Sequence, residues 1–195
     1  MTFMQSADIA KAILSEIRLR QNGTAPFLVA IDGRCAAGKS TLAAQLTALS
    51  GCAVLPMDHF FLRPEQRTPE RFAEPGGNVD RERFLDEVLL PLRAGKASSY
   101  RPFDCRTLAL AAPVAVPAAE VCVIEGSYSC HPLLRELYDL TVVLDGAPDE
   151  QLRRIQIRNG AEGAQRFAER WIPLEERYFG AFRVREHCDL RYLSE

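Results

Sequence analysis

The stretch VAIDGRCAAGKSTLAAQL, residues 29–46, decides the fold of this chain. Its centre, GRCAAGKST at residues 33–41, matches GxxxxGK[ST], a pattern whose glycines let the backbone curl until successive N–H groups point inward. An apolar run at residues 26–32 precedes it, and a helix predicted over residues 39–49 follows it. Because a helix N-terminus carries partial positive charge, such a strand–loop–helix unit binds phosphate. The stretch therefore predicts a nucleotide-binding P-loop.

The P-loop pattern gives its residues individual roles. Lys39, one of three lysines in the chain, would reach the β- and γ-phosphates as a flexible point charge. The Ser40 hydroxyl would ligate Mg²⁺. The loop alone leaves open whether the triphosphate is bound, hydrolysed or used as a phosphoryl donor, and whether it is ATP or GTP. With ATP as the nucleotide, we expect these residues to bind it: Gly33, Arg34, Cys35, Ala36, Ala37, Gly38, Lys39, Ser40 and Thr41.

Length and composition indicate a single domain over residues 1–195. Hydrophobic residues make up 47% and charged residues 26% of the chain, which is typical of a protein with a packed core. The net charge of −2 argues against a nucleic-acid partner. The six cysteines form no CxxC pair, and no stretch is apolar enough for a signal peptide or a membrane span. We therefore expect a cytoplasmic protein with reduced thiols and no membrane partner, and we leave a homo-oligomer open.

Strands alternate with helices along the chain, which predicts an α/β fold built on a parallel sheet. After the strand at residues 26–32, further strands are predicted at 53–58, 120–126 and 140–146, with an edge strand at 188–193.

Polar and breaking residues mark the predicted helix boundaries. Ser6 or Asp8 would cap a first helix that ends at Gly23. Asp80 would cap a helix over residues 81–95 that is bent at Pro91.

Two segments lack any helical or strand periodicity. Residues 63–80 are rich in proline, glycine and charge, and residues 100–107 are also irregular. Such segments inside a domain are typical of active-site loops, so we expect both to be mobile.

Two acidic residues lie at predicted strand ends, where ligands of open α/β sheets gather. Asp58 could accept the proton of an attacking hydroxyl, orient that hydroxyl or help to hold Mg²⁺, or it could simply cap the next helix. Glu125 ends an apolar strand, the position of an acid that holds the metal directly or through water. Both residues are therefore candidate metal-side groups.

A basic helix face lies further along the chain, in QLRRIQIRNG. Arg154 and Arg158 are four residues apart and share a face of the predicted helix. Arginines on a mobile lid, here near residues 158–166, can neutralise the charge on a transferring phosphoryl group. The alternative is a solvated basic face.

Taken in order and spacing, several segments resemble the uridine kinase family of P-loop kinases, which is related to phosphoribulokinase and the type I pantothenate kinases. The resemblance covers nearly the whole chain from residue 26 and rests on DGRCAAGKSTLAAQL, MDHFFL, GGNVDRERF, YRPFDCRT, VCVIEGSYS, DLTVVLDGAPDEQLRRIQIRNG and WIPLEERYFGAFRVREHCDLRY. It implies a three-layer P-loop fold with helices on both faces of a parallel sheet of strand order 2-3-1-4-5.

The resemblance also implies roles for single residues. ATP and Mg²⁺ would be held by the P-loop with Lys39 and Ser40. Asp58 would act on the acceptor hydroxyl, and Asp80 would bind ribose hydroxyls. Phe103 falls where the family usually has a tyrosine near the base. Arg154 would contact ATP, and Arg158 would serve as a lid arginine with a catalytic role.

The sequence departs from the family in its acceptor region. Phe103 lacks the tyrosine hydroxyl, and no histidine follows FDCRT where pyrimidine nucleoside kinases read the base. The irregular segments hold several arginines that either favour an acceptor bearing an anion, with Arg106 among its ligands, or are merely solvated. These arginines are Arg63, Arg67, Arg71, Arg101 and Arg106.

The resulting hypothesis is an ATP-dependent kinase that transfers the γ-phosphoryl group to a hydroxyl of a small molecule, such as uridine or cytidine. One alternative keeps the kinase and changes the acceptor to pantothenate, a phosphosugar or another small alcohol. A second alternative, from another class, is a regulatory nucleotide-binding ATPase or switch. It is disfavoured because the chain has no NKxD-type guanine motif and no long appended segment.

Overall fold

The structure is a computed structural model that describes residues 3–23 and 26–194. Its strands, in chain order, are β1 (Phe3–Met4), β2 (Phe27–Asp32), β3 (Ala53–Pro56), β4 (Ser99–Tyr100), β5 (Phe103–Asp104), β6 (Ala109–Leu110), β7 (Val114–Ala115), β8 (Val121–Glu125), β9 (Leu140–Asp145) and β10 (Leu190–Ser194). Its α-helices are α1 (Ser6–Arg20), α2 (Lys39–Ser50), α3 (Pro69–Ala73), α4 (Arg81–Phe84), α5 (Leu90–Arg93), α6 (Pro132–Arg135), α7 (Pro148–Arg166), α8 (Ile172–Phe182) and α9 (Val184–His187).

The central sheet is parallel throughout, in the order β1-β10-β9-β2-β8-β3. The five strands expected from the sequence follow the predicted order 2-3-1-4-5, so the predicted fold is confirmed. β1 extends the sheet beyond β10, and the last strand is therefore not an edge strand as expected. Because all strands run in one direction, their carboxyl ends form a single edge.

The core lies on both faces of this sheet, as a three-layer fold requires. Every residue of β2 is buried, and its side chains alternate between the two faces. On one face, Val29 and Ile31 pack with residues of α1 and α2. On the other face, Leu28 and Ala30 belong to the cluster formed by residues 84–92, α6 and α8. The helices on both faces confirm the predicted layering.

Helix boundaries agree only in part with the predicted caps. α1 begins at Ser6 after the N-cap Gln5 and ends at Arg20. Neither Ser6 nor Asp8 is the cap, and the helix ends before Gly23, so those expectations were wrong. Asp80 does cap α4, accepting a hydrogen bond from the Arg83 N–H at 3.2 Å.

The helix that Asp80 caps changes its winding before it ends. Between α4 and α5 it passes through a π-helical turn at Leu85–Leu89, next to Pro91. Proline lacks an N–H and cannot take part in the regular α-helical ladder, which explains the irregular winding near Pro91.

The two segments expected to be irregular contain local structure. Residues 63–80 hold a 3₁₀ turn at Pro64–Gln66 and the short helix α3. Arg71 ties this segment together, donating to the Val79 carbonyl at 2.8 Å and pairing with Glu82 at 2.7 Å. Residues 99–115 form two small antiparallel ladders, β4 with β7 and β5 with β6. Neither the Arg71 bonds nor these short ladders produce a periodic pattern in the sequence, so the sequence did not predict them.

The C-terminal helices follow one another closely in sequence, and the first of them is interrupted once. α7 is interrupted at Gly160, which has φ 73° and ψ 177°, and a π-helical turn at Phe167–Trp171 leads into α8. The break falls within the segment near residues 158–166 that was expected to be a mobile lid. Across residues 3–23 and 26–194, every helix is too short or too polar to cross a membrane.

Candidate active site

A cleft of about 910 Å³ opens along the carboxyl edge of the sheet. The P-loop follows β2, Asp58 lies in the 3₁₀ turn after β3, and Glu125 ends β8, so three neighbouring strands deliver their ends to it. P-loop residues 35–41 line the cleft, while Gly33 and Arg34 lie at the base of the loop, outside its lining. The parallel sheet thus brings together groups that are far apart in sequence.

Glycine is required at the base of the P-loop. Gly33 has φ 143°, and a Cβ at this position would lie 1.9 Å from the Leu144 carbonyl oxygen of β9. Gly38, with φ 93°, is the N-cap of α2. These two residues let the loop turn back over the end of the sheet, as the pattern predicted.

Lys39 holds its buried ammonium group under the loop. It donates to the carbonyls of Gly33 and Arg34, both at 2.8 Å, and lies 3.3 Å from the Ser127 hydroxyl. The ammonium is therefore fixed at the floor of the cleft, within the loop that would receive the phosphates.

The two predicted Mg²⁺ ligands meet across the cleft. The Ser40 hydroxyl donates to Glu125 at 3.1 Å. Burial, together with the nearby charge of Asp58, raises the pKa of the Glu125 carboxyl, although Lys39 and the Ser40 bond act in the opposite direction. Asp58 is exposed and lines the same cleft. Hard oxygen donors of this kind suit Mg²⁺.

A metal held here would depend on few side chains. Within the described ranges, no group of three His, Cys, Asp or Glu side chains is arranged to hold an ion by itself. Mg²⁺ typically keeps water and phosphate oxygens besides one or two carboxylates, so a hydroxyl and a carboxylate next to the P-loop fit that ion.

The two predicted arginines of α7 both line the cleft. Arg154 donates to the Ala36 carbonyl of the P-loop at 3.3 Å and pairs with Glu150 at 2.8 Å. Arg158 donates to Asn159 at 2.8 Å, and its Cζ lies 5.7 Å from the centroid of the Phe167 ring. Arg154 is thus attached to the donor loop, and Arg158 lies one helical turn further along.

The structure places three predicted acceptor residues outside the cleft lining. Asp80 is 4% exposed and accepts from the Gln66 side-chain amide at 2.8 Å as well as capping α4. Phe103 is also 4% exposed. The Arg106 side chain is 92% exposed and lies 3.5 Å from Asp104. In this structure, none of the three contributes to the cavity that contains Asp58.

Two buried carboxylates organise the site and were missed by the sequence analysis. Asp32, at the end of β2, accepts from the N–H groups of Gly33, Tyr128 and Cys130 at 2.7, 3.1 and 2.9 Å. It also accepts from the Tyr178 hydroxyl at 2.6 Å. Asp32 therefore fastens the start of the P-loop, the loop after β8 and α8 to one another.

Glu175 of α8 is the second of these carboxylates, and it lines the cleft. It accepts from the Cys35 N–H at 3.1 Å, the Ser127 hydroxyl at 2.8 Å and the Gln151 amide at 3.4 Å. Burial raises the pKa of its carboxyl group. The available signal in the sequence was its position: Glu175 lies on the same helical face as the buried Tyr178 and Phe179, where an apolar residue is the rule.

The fold and the site together define a class. A P-loop after β2, an acid at the tip of β8, arginines on α7 beside the cleft and the strand order 2-3-1-4-5 are the features of a P-loop kinase fold.

Several solved structures share this fold over nearly the whole chain. No protein-family model matches the chain. Among solved structures, a candidate uridine kinase from Bacillus stearothermophilus superposes with a TM-score of 0.72 at 20% identity, covering 95% of this chain and 98% of that one. A candidate fructose transport system kinase from Silicibacter sp. TM1040 gives 0.66 at 24% identity, covering 97% and 99%. A candidate P-loop kinase with a circular permutation from Saccharomyces cerevisiae gives 0.67 at 12% identity, covering 98% and 100%. The chain has the fold of the uridine kinase-like and related P-loop kinases.

Proposed function

We propose that this protein is an ATP-dependent kinase that transfers the γ-phosphoryl group of ATP to a hydroxyl of a small molecule. One observation carries the proposal: the Asp58 carboxylate lines the same cleft as Lys39 and the Ser40–Glu125 pair. An exposed acid in the cleft beside the phosphate loop can act on a hydroxyl that is bound next to the γ-phosphate.

On the donor side, the P-loop amides and Lys39 bind the triphosphate, and Arg154 contacts the loop from α7. Ser40 and Glu125 would hold Mg²⁺, and Asp58, which lines the same cleft, is a further candidate ligand. The ion supplies positive charge against the β- and γ-phosphates. Lys39 and Arg158 neutralise charge that spreads over the phosphoryl group during transfer.

On the acceptor side, Asp58 orients the attacking hydroxyl and takes its proton. The hydroxyl oxygen bonds to the γ-phosphorus as the bond to the β-phosphate oxygen breaks, so the products are a phosphorylated acceptor and ADP. Phe61, Phe167 and Trp171 line the cleft and limit the access of water, which would otherwise compete as the acceptor. The six free cysteines and the need for ATP support a cytoplasmic location.

The acceptor can be a nucleoside such as uridine or cytidine, following the resemblance to uridine kinases. The burial of Asp80 and Phe103 supports the other candidates equally well: pantothenate, a phosphosugar or another small alcohol. Two of the structural relatives are named for uridine and fructose, and both compounds belong in the same panel.

The test is acceptor-stimulated release of ADP. Purified protein with ATP and Mg²⁺ is given each candidate acceptor, and ADP is measured by a coupled assay while the phosphorylated product is identified by mass spectrometry. We expect at least one acceptor to raise the rate well above that with ATP alone. If ADP release stays at the basal rate with every acceptor, the regulatory ATPase is the better explanation.

A further inference from the structure

We propose that Arg67 forms an anion-binding subsite in the acceptor part of the cleft, so that the acceptor carries a carboxylate or a phosphate beside its reacting hydroxyl. The inference rests on the proposed function, because it describes the molecule that receives the phosphoryl group. Carboxylate and phosphate share the chemistry involved: both offer two oxygens to the parallel N–H groups of a planar guanidinium.

Arg67 is held in place from two sides. Its Nε donates to the Leu62 carbonyl at 2.9 Å, and its Cζ lies 5.4 Å from the centroid of the Phe103 ring. Phe103 is itself buried, so the ring against which the guanidinium lies is held in place. The half-buried Arg67 lines the cleft together with Asp58. A positioned guanidinium loses little conformational freedom when it binds a ligand.

The other arginines of the two neighbouring segments already have partners or lie in solvent. Arg63 pairs with Glu65 at 3.1 Å, and Arg71 with Glu82 at 2.7 Å. Arg101 donates to two backbone carbonyls at 2.7 Å, and the side chain of Arg106 is 92% exposed. Of these five arginines, Arg67 is the one that lines the cleft.

The acids that line the cleft do not neutralise Arg67. They are Asp58, Glu125 and Glu175, and none of them, nor any other carboxylate in the described part of the chain, forms an ion pair with it. Glu125 is bonded to Ser40, and Glu175 to Ser127 and Cys35. A half-buried cation beside aromatic walls has lost part of its hydration, and an anionic ligand would compensate that loss.

The burial and the bonding partners of Asp80 also favour an anionic acceptor. A neutral sugar needs a hydrogen-bond acceptor for its neighbouring hydroxyls, and Asp80 was the expected one. Its carboxylate is instead buried, bonded to Gln66 and to the Arg83 N–H, and lies outside the cleft lining. The cleft lining therefore contains Arg67 and does not contain the acid that was expected to bind ribose hydroxyls.

The experiment uses acceptors in matched pairs that differ in charge. Pantothenate is compared with panthenol, ribose 5-phosphate with ribose and glycerol 3-phosphate with glycerol, and uridine and cytidine serve as neutral nucleosides. The carboxylate and phosphate pairs distinguish the two kinds of anion. Each acceptor is assayed with wild type, Arg67→Gln, Arg67→Lys and the control Arg18→Gln, which makes the same change at an exposed residue of α1.

We expect an anionic acceptor to be used at least ten times better, in kcat/KM, than its neutral partner. Arg67→Gln should raise the KM for that acceptor about 10- to 100-fold, the range for losing a hydrogen bond to a charged group. The KM of Arg67→Lys should lie between those of wild type and Arg67→Gln, because lysine keeps the positive charge and lacks the planar guanidinium. The KM for ATP should stay unchanged in all variants, which also shows that they are folded. A preference for the neutral partner, or an unchanged KM in Arg67→Gln, overturns the inference.

A binding measurement separates this inference from the proposed function. Calorimetry is carried out with ADP and Mg²⁺ saturating the P-loop, so that added anions cannot bind there. Binding of an anionic acceptor by wild type and its loss in Arg67→Gln support the subsite even if no acceptor stimulates ADP release, a result that would count against the kinase alone. Equal binding by both proteins, or none by wild type, overturns the subsite.

Discussion

The proposed phosphoryl transfer depends on Asp58 more than on any other acid of the cleft. It lies in the 3₁₀ turn that follows β3, is exposed to the cleft and has no role in the core. Its neighbour Glu125 is bonded to Ser40, so the two carboxylates differ in their surroundings although they lie at adjacent strand tips. The exposed acid suits proton transfer from a bound hydroxyl, and the bonded acid suits the metal side.

Asp58→Asn should lower kcat for phosphoryl transfer by about 10²- to 10⁴-fold, the usual contribution of a general base. Binding of ATP should be retained, because the P-loop contacts are untouched. ADP release with acceptor gives kcat, and calorimetry gives the affinity for ATP·Mg²⁺. The matched control is Asp86→Asn, an exposed aspartate of the Leu85–Leu89 turn. A loss of ATP binding in Asp58→Asn would show that Asp58 mainly holds the metal.

At this scale the structure places the candidate donor residues Lys39, Ser40 and Glu125 at the cleft and three candidate acceptor residues outside its lining. Lys39 and Ser40 are recognisable from the P-loop pattern, and Glu125 from its position at the end of an apolar strand. Neither signal depends on residues that are distant in sequence. An acid such as Asp80, by contrast, suits a helix cap and a ribose contact equally well, and only the Gln66 contact shows how it is used. The position of Glu175 on an apolar helix face marked it as unusual, but its partners lie in three distant segments and could not be inferred.

Among the elements, the loop between β2 and α2 depends most closely on its residue types. Gly33 lies against the Leu144 carbonyl of β9, the strand beside β2. Any side chain at this position must push the loop away from the sheet, and the loop carries Lys39 and Ser40 with it.

Gly33→Ala should therefore weaken ATP binding by at least tenfold and lower the thermal midpoint. The Cβ would lie 1.9 Å from a backbone oxygen, a contact that no side-chain movement can relieve. Calorimetry with ATP·Mg²⁺ and a thermal melt measure the two effects.

Gly180→Ala is the matched control for this variant. Gly180 lies exposed in α8, where a Cβ would meet nothing within 4 Å. Alanine there should stabilise the helix by about 0.5–1 kcal/mol and leave ATP binding alone. If Gly33→Ala retains ATP binding and its thermal midpoint as Gly180→Ala does, the contact with Leu144 does not determine either quantity.

Element prediction succeeded where hydrophobic periodicity is strong and failed where structure depends on side-chain bonds. The buried strands and the long helices were recognisable from pattern alone. β1 is two residues long and becomes a strand only by pairing with β10. The turns within residues 63–80 depend on contacts such as Arg71 with Glu82, which a local pattern cannot anticipate.

For the molecule as a whole, His131 joins parts that are distant in sequence. It is the N-cap of α6, and its Nδ1 accepts from the Leu133 N–H at 3.2 Å. Its ring lies parallel to that of Tyr178 and meets the Phe182 ring edge to face, both in α8. Burial, followed by the charge of Arg81, lowers the pKa of His131 to about 4. The folded protein thus needs the neutral ring, since a protonated Nδ1 cannot accept.

Stability should consequently fall as the pH drops from about 6.5, the pKa of an unfolded histidine, towards 4. In this window the unfolded chain binds the proton more readily than the folded one, so acid favours unfolding. The loss should reach about 1–3 kcal/mol. Urea unfolding at several pH values measures it.

His131→Asn provides the comparison, because asparagine can also cap a helix and does not titrate. The difference in unfolding free energy between wild type and this variant should shrink or reverse as the pH falls from 6.5 to 4. A difference that stays constant across this range would contradict the assignment of a buried neutral ring.

The double attachment of α8 has a consequence for the order of events in catalysis. Glu175 holds the P-loop, and Tyr178, one turn later, holds Asp32, so the helix cannot swing without breaking both bonds. The P-loop side of the cleft is therefore held in place by bonds within the protein itself. Phe167 and Trp171, which lie beyond the break at Gly160, also line the cleft, and in the proposed reaction their segment would become ordered when the acceptor binds. In the proposed reaction, ATP would therefore bind without waiting for the acceptor, and binding of the acceptor would commit the complex to transfer.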